Sequence, residues 1–142
     1  MIKMRHVGIA VKDIESSIDF YTRILGFKIK KDQVEEGEYL DTFLGIKDVK
    51  VRTVKMTLED NNMLELLQFD SHPGFNEAGF ITRIGSSHIA LTVPDADSLY
   101  KKLKSEEVRV INEPTLSPDG AAKVFFCKDL DGTWLELVEE MK

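Results

Sequence analysis

Apolar and polar residues alternate along most of this chain, and the alternation gives way twice to a helical period. Residues 4–11 alternate and stop before Asp13, an expected helix N-cap. Ile14, Ile18, Tyr21 and Leu25 then recur at spacings of four, three and four, which predicts one apolar helix face ended by Gly26. Residues 27–31 alternate as an exposed strand. Residues 32–48 are acidic and Gly-punctuated, with a short helix expected near 39–44. Across 49–58, Val49, Val51 and Thr53 alternate with Lys50 and Arg52. Asp60-Asn61-Asn62 then signals a hairpin into a strand at 63–69.

After a connector at 71–84, which holds His72-Pro73-Gly74, the order returns. A strand over 86–93 leads to a helix started by Asp95 or Asp97, with Ala96, Leu99, Tyr100 and Leu103 on one face. Next come a strand near 108–112, a loop through Pro114, Pro118 and Gly120, and a strand at 122–127. A tight turn at Asp131-Gly132 precedes the last strand, 133–139. Both halves read β-α-β-β-β. The expectation is one α+β domain over 1–142, built from a first βαβββ module at 1–70 and a second at 85–142. Two such modules, each with an uncovered sheet face, can pair to form a cup.

The two halves also share wording. His6-Val7-Gly8-Ile9-Ala10-Val11-Lys12-Asp13 parallels His88-Ile89-Ala90-Leu91-Thr92-Val93-Pro94-Asp95. Each half closes on a Glu-Leu pair, at Glu65-Leu66 and Glu136-Leu137. The offsets are 82 for the histidines and 71 for the glutamates, and the 11-residue difference fits the long 32–48 segment. Alternation puts His6, Gly8 and Ala10 on one face, with Met63, Glu65, Leu67 and Phe69. His88, Ala90 and Thr92 share a face in the second half, as do Trp134, Glu136 and Val138. The aliphatic residues of these strands fall on the opposite faces, which should pack under the helices. Two imidazoles and two carboxylates brought together form a ligand set for a divalent ion such as Zn, Ni, Co, Mn or Fe.

Composition narrows the function. The chain has 142 residues, of which 42% are hydrophobic and 31% charged, as in an ordinary globular domain. A net charge of −6 without a basic run argues against a nucleic-acid partner. Apolar stretches are strand-sized, so no membrane span is expected. The N-terminus runs into a strand without a signal-peptide core, and there is a single cysteine, Cys127, expected to be buried. These features predict a cytoplasmic protein. His72, without a repeat partner, is read as a surface residue, and Lys28, Lys30 and Lys31 as a solvated strand face.

The strings His6–Asp13 through Phe20-Tyr21-Thr22-Arg23-Ile24-Leu25-Gly26-Phe27, Ser87–Val93, and Lys128-Asp129-Leu130-Asp131-Gly132-Thr133-Trp134-Leu135-Glu136-Leu137 resemble the vicinal oxygen chelate superfamily. This is the glyoxalase, bleomycin-resistance and extradiol-dioxygenase group. The resemblance covers nearly the whole chain. It implies paired βαβββ modules around a metal-binding cup, with metal ligands at His6, Glu65, His88 and Glu136. It also implies a glyoxalase I-like lyase or isomerase acting on a small vicinal-oxygen substrate through a metal-stabilised enediolate. In that scheme Glu136 is the first choice of proton-transfer base and Glu65 the second. A homodimer is the expected assembly; whether the modules pair within one chain or across two stays open.

The chain departs from bacterial glyoxalase I at Ala10, where those enzymes carry arginine, and at Phe69, where they carry asparagine. Those side chains help hold glutathione, so the departures argue against a glutathione adduct. Strand 49–58 carries Arg52 and Lys55 and no acid, unlike the methylmalonyl-CoA epimerases. An extradiol dioxygenase needs only two His and one carboxylate, and a drug-binding protein of this fold typically lacks the metal residues. Retention of all four ligands weighs against both. A fosfomycin-type transferase calls for a basic cavity, which these faces are not expected to supply. The 32–48 segment and the connector are equal candidates to cover the cleft.

Overall fold

The computed structural model describes every residue except Ala78. It divides into two compact units, Met1–Asn76 and Glu77–Lys142. The first contains β1 (Val7–Ala10), α1 (Ile14–Asp19), β2 (Lys28–Glu36), α2 (Glu38–Leu44), β3 (Lys50–Thr57) and β4 (Met63–Phe69). Its sheet order is β1-β4-β3-β2, with β1 parallel to β4 and the other pairs antiparallel. The second contains β5 (His88–Thr92), α3 (Ala96–Ser105), β6 (Thr115–Leu116), β7 (Ala122–Lys128) and β8 (Trp134–Glu140). Its order, β5-β8-β7-β6, repeats the first, again with one parallel pair. The α+β class and the two-module plan are as the sequence predicts.

Each sheet buries its aliphatic face. In the first unit Leu64, Leu66, Val54 and Met56 are almost fully enclosed, as are Ile14, Phe20, Tyr21 and Phe27. In the second, Leu135, Leu137, Phe125 and Leu103 have no exposed surface, and Tyr100 of α3 meets Phe125 edge to face at 5.7 Å. Each such side chain contributes roughly 1.5–3 kcal/mol relative to exposure. Cys127 lies in the second of these cores, fully buried as expected.

Helix attachment is duplicated as well. Asp13 and Asp95 are the N-caps, accepting hydrogen bonds from the Ser16 and Ser98 amides at 3.3 and 2.9 Å. This settles the start of α3 on Asp95. The next amide is held by the last strand: Ile14 N donates to Gln68 Oε1 at 2.7 Å, and Ala96 N donates to Glu139 Oε2 at 2.8 Å. Gln68 and Glu139 are separated by the same 71 residues as the two candidate glutamates. The cap pairs Asp13/Asp95 and Ile14/Ala96 keep the 82-residue offset of the histidines.

Four elements differ from the sequence expectation, one of them β6, which forms inside the segment expected to be a loop. The first helix changes pitch: after Asp19 it continues as a π turn (Phe20–Ile24), with Leu25 N donating to Phe20 O at 3.3 Å. A π turn adds a residue to the circuit, so Phe20 and Tyr21 both enter the core, with Ile24, while Ile18 and Leu25 remain half-buried. β2 is longer than expected and carries a bulge between Ile29 and Lys31. The strand expected near 108–112 is reduced to a single bridge, Val110 to Cys127. There the side chain of Asn112 takes over a ladder position, its Oδ1 accepting from Phe126 N at 3.0 Å, and Pro114 beyond it has no N–H to offer.

The short helix expected near 39–44 is α2. Gly45, in the left-handed conformation (φ 68°), ends it. Asp41 accepts hydrogen bonds from the Asp48 and Val49 amides, both at 2.9 Å, and so turns the chain into β3. Leu40 packs with Val49 and Val51, beside Leu44, Leu67 and Phe69. α2 therefore covers part of the sheet face away from α1.

Candidate metal centre

In each unit the face away from the first helix pairs one histidine with one glutamate of the neighbouring parallel strand. Strand register explains the pairing. In the first unit Gly8 of β1 stands beside Glu65 of β4, and in the second Ala90 of β5 stands beside Glu136 of β8. The histidine two residues earlier then leans over the glutamate across a small residue. At Gly8 an added Cβ would come within 3.2 Å of Leu67 Cδ1 and 4.0 Å of Glu65 Oε1. A side chain there would crowd the space between His6 and Glu65.

His6 Nε2 lies 3.9 Å from Glu65 Oε1, and His88 Nε2 lies 3.0 Å from Glu136 Oε2. Two donors bound to one ion at about 2.0–2.2 Å each, at octahedral to tetrahedral angles, sit about 3.0–3.4 Å apart. The two observed separations bracket that range. The His6 pair is too long for a hydrogen bond, and its Nδ1 is buried without a partner among the described residues. His88 differs, because at 3.0 Å it already pairs with Glu136 directly. The carboxylates differ too: the Glu65 side chain is 12% exposed and that of Glu136 is 27%. Among the described residues neither pair is joined by a third His, Cys, Asp or Glu side chain. Within its own unit, each pair is a candidate half-site with two possible donors.

The surroundings of the half-sites diverge. Glu136 has Phe126 opposite it in register, and the Phe126 ring meets His88 edge to face at 5.6 Å and Trp134 at 5.8 Å. Trp134 Nε1 donates to Gly79 O at 2.9 Å, and Lys128 Nζ sits 4.6 Å from the Trp134 ring centre. The connector is thereby fastened beside the second half-site. Glu65 has Lys55 opposite it, with Nζ 3.7 Å from Oε2. Arg52, on the other face, binds Asp32 and Glu15 of α1, which hold its guanidinium pKa well above the ordinary value. Lys55 corrects the expectation that these faces carry no basic residue. It is in step with Val49, Val51 and Thr53 and not with Arg52, but β3 buries residues of both parities, so the pattern alone does not mark its open face.

Ala10 lies on the same face, next to Leu67. Phe69 is packed into the α2 cluster. Both positions are apolar parts of the wall. His72 is exposed, as expected of a surface residue, with Nδ1 2.8 Å from Ser71 Oγ.

Comparison with known proteins agrees with this architecture. The sequence model of the Glyoxalase/Bleomycin resistance protein/Dioxygenase superfamily matches residues 3–137. A lactoylglutathione lyase of Pseudomonas putida is 31% identical, the match covering 94% of this chain and 83% of that protein. A glyoxalase family protein from Bacillus cereus superposes with a TM-score of 0.91 at 20% identity, covering 100% of this chain and 96% of that one. A fosfomycin resistance protein from Listeria monocytogenes gives 0.68 at 15% identity, over 99% and 95% of the two chains. At those identities the two structures speak for the fold alone.

Proposed function

Because the chain belongs to the Glyoxalase/Bleomycin resistance protein/Dioxygenase superfamily, we propose that it is a divalent-metal-dependent lyase or isomerase of the glyoxalase I type, acting on a small substrate with two neighbouring oxygens. In this reading His6, Glu65, His88 and Glu136 together hold one ion. The observation that supports it is the repeated His–Glu pairing on the open sheet faces. Two neutral imidazoles and two carboxylates suit Zn, Ni, Co, Mn or Fe. A bound ion would supply Lewis acidity to the two substrate oxygens and lower the cost of negative charge there.

The proton is the work of the chain's own carboxylates. Glu136 takes a carbon-bound proton from the substrate and returns it to the neighbouring or the opposite face. It is the more accessible of the two glutamates, with His88 alongside. Glu65, enclosed between His6 and Lys55, is the second choice of base. Phe126 and Trp134 form an apolar wall that limits water near Glu136. With Ala10 and Phe69 apolar, a glutathione adduct is not the favoured substrate.

The test combines elemental analysis of protein purified without chelators with proton exchange. Candidate 2-oxoaldehyde adducts and epimerisable acids are incubated in deuterium oxide and followed by NMR. The expected result is exchange that depends on bound metal and is abolished in Glu136→Gln, with the far-UV spectrum unchanged. Undiminished exchange in that variant removes Glu136 as the base. Failure to take up any divalent ion on reconstitution removes the proposal as a whole.

A further inference from the structure

We infer that Lys55 recognises a negatively charged group of the substrate, carried next to the oxygens that the His6–Glu65 pair serves. The inference rests on the reading above of that pair as half of a metal site.

Lys55 stands on the open face of β3, directly opposite Glu65. Its Nζ is 3.7 Å from Glu65 Oε2, outside the about 2.7–2.9 Å of a charge-assisted hydrogen bond. The side chain is 26% exposed, and among the described residues its Nζ donates no hydrogen bond. An ammonium carries three donors and is costly to leave partly dehydrated without acceptors. On its other side the register partner of Lys55 is Lys31, a second cation on the same face. Like charges directly across a sheet are destabilising. An anion arriving there relieves the repulsion and fills the empty donor positions.

The duplication argues against the plainer role of neutralising Glu65. In the second unit the matching position, opposite Glu136, is Phe126, at the same 71-residue offset. There the glutamate is partnered by His88 at 3.0 Å instead, so a lysine across the sheet is not a fixed feature of this fold position. What Lys55 adds to the first half-site is a point charge facing the space beside His6 and Glu65. Such a charge accepts a planar carboxylate or a tetrahedral phosphonate or phosphate equally. The substrate class is then a small oxyanion with a hydroxyl or carbonyl on the adjacent atom.

Three matched probes test this on the full-length, metal-loaded protein: glycolate, hydroxymethylphosphonate and ethylene glycol. They share one hydroxymethyl group and differ in the charge of the second group. Binding is read by calorimetry or by ligand-observed NMR, and metal content is measured in parallel. The wild type is expected to bind one of the two anions at least about tenfold more tightly than the diol. Their order tells a carboxylate substrate from a phosphonate or phosphate one. Lys55→Met should erase that preference while diol binding and metal content stay constant. Lys55→Arg should retain most of it, and Lys30→Met, at the exposed bulge, should change nothing.

An absent anion preference in the wild type overturns the inference. So does an equal loss of anion and diol binding in Lys55→Met, or loss of its metal, because Lys55 would then act only through Glu65. A wild type that takes up no metal overturns the metal reading instead. The same comparison on metal-free protein then judges Lys55 separately, and anion binding unaffected by Lys55→Met counts against it.

Discussion

Cys127 shows how far a single residue can be read from its neighbours. It sits in the run Val124-Phe125-Phe126-Cys127, and in the fold it has no exposed surface. Burial, and secondarily the negative charge of Asp129, push its thiol up to about 12 from 9.0. The raised value disfavours the thiolate, so the folded protein keeps a proton that the unfolded chain releases near 9.0. Stability is therefore insensitive to this group below that point and falls as pH rises from there toward about 12, by up to roughly 1.4 kcal/mol per pH unit. Native protein at about pH 8 should react with a thiol reagent only as fast as it unfolds, whereas protein in guanidinium reacts at once. Urea midpoints should fall toward about pH 10, and Cys127→Ala should flatten that fall. Immediate labelling of the native protein would contradict the buried thiol. The face on which each of the four candidate ligands lies was equally legible, because strand parity decides it. Lys55 was not, because β3 buries residues of both parities and its alternation carries little information.

At the scale of elements, the sequence is clearest where backbone chemistry fixes an end. The N-caps Asp13 and Asp95 mark the helix starts, and Gly45 marks the end of α2. It is least clear where a side chain replaces backbone, as Asn112 does along β7, or where a helix widens to admit two consecutive aromatics. The tie between Gln68 and the first amide of α1 was also invisible, since a polar residue late in a strand reads as solvent-facing. Its counterpart Glu139 shows that either acceptor serves. Gln68 Nε2 also donates to Asp70 Oδ1 at 2.8 Å, so the acceptor is tested alone in Gln68→Glu/Asp70→Asn, which should leave stability near that of the wild type. Gln68→Leu leaves the partly buried Ile14 amide without an acceptor and should cost about 1–3 kcal/mol in urea unfolding. Equal stability of the two variants would mean that the tie is incidental.

At the scale of the whole molecule, duplication is the signal that made function approachable. A lone His–Glu pair across two strands has an ordinary explanation as a hydrogen bond, and His88 with Glu136 illustrates it. Two pairs at matching fold positions, one of them too long for a hydrogen bond, call for a shared cause. If that cause is one ion held by both half-sites, metal retention should fail as a unit. Two donors alone hold a divalent ion weakly beside the four that structural sites use. After dialysis the wild type should retain about one ion per chain, and His6→Ala and His88→Ala should each retain essentially none, the double variant falling no further. The expectation is the same whether the half-sites of one chain meet each other or those of a second copy, since every chain supplies one of each. Independent half-sites predict a different pattern, in which each single variant keeps the ion of its untouched half and only the double variant is empty. Elemental analysis of the four proteins separates these outcomes, and half-occupancy in the single variants would dissolve the shared centre into two minor sites.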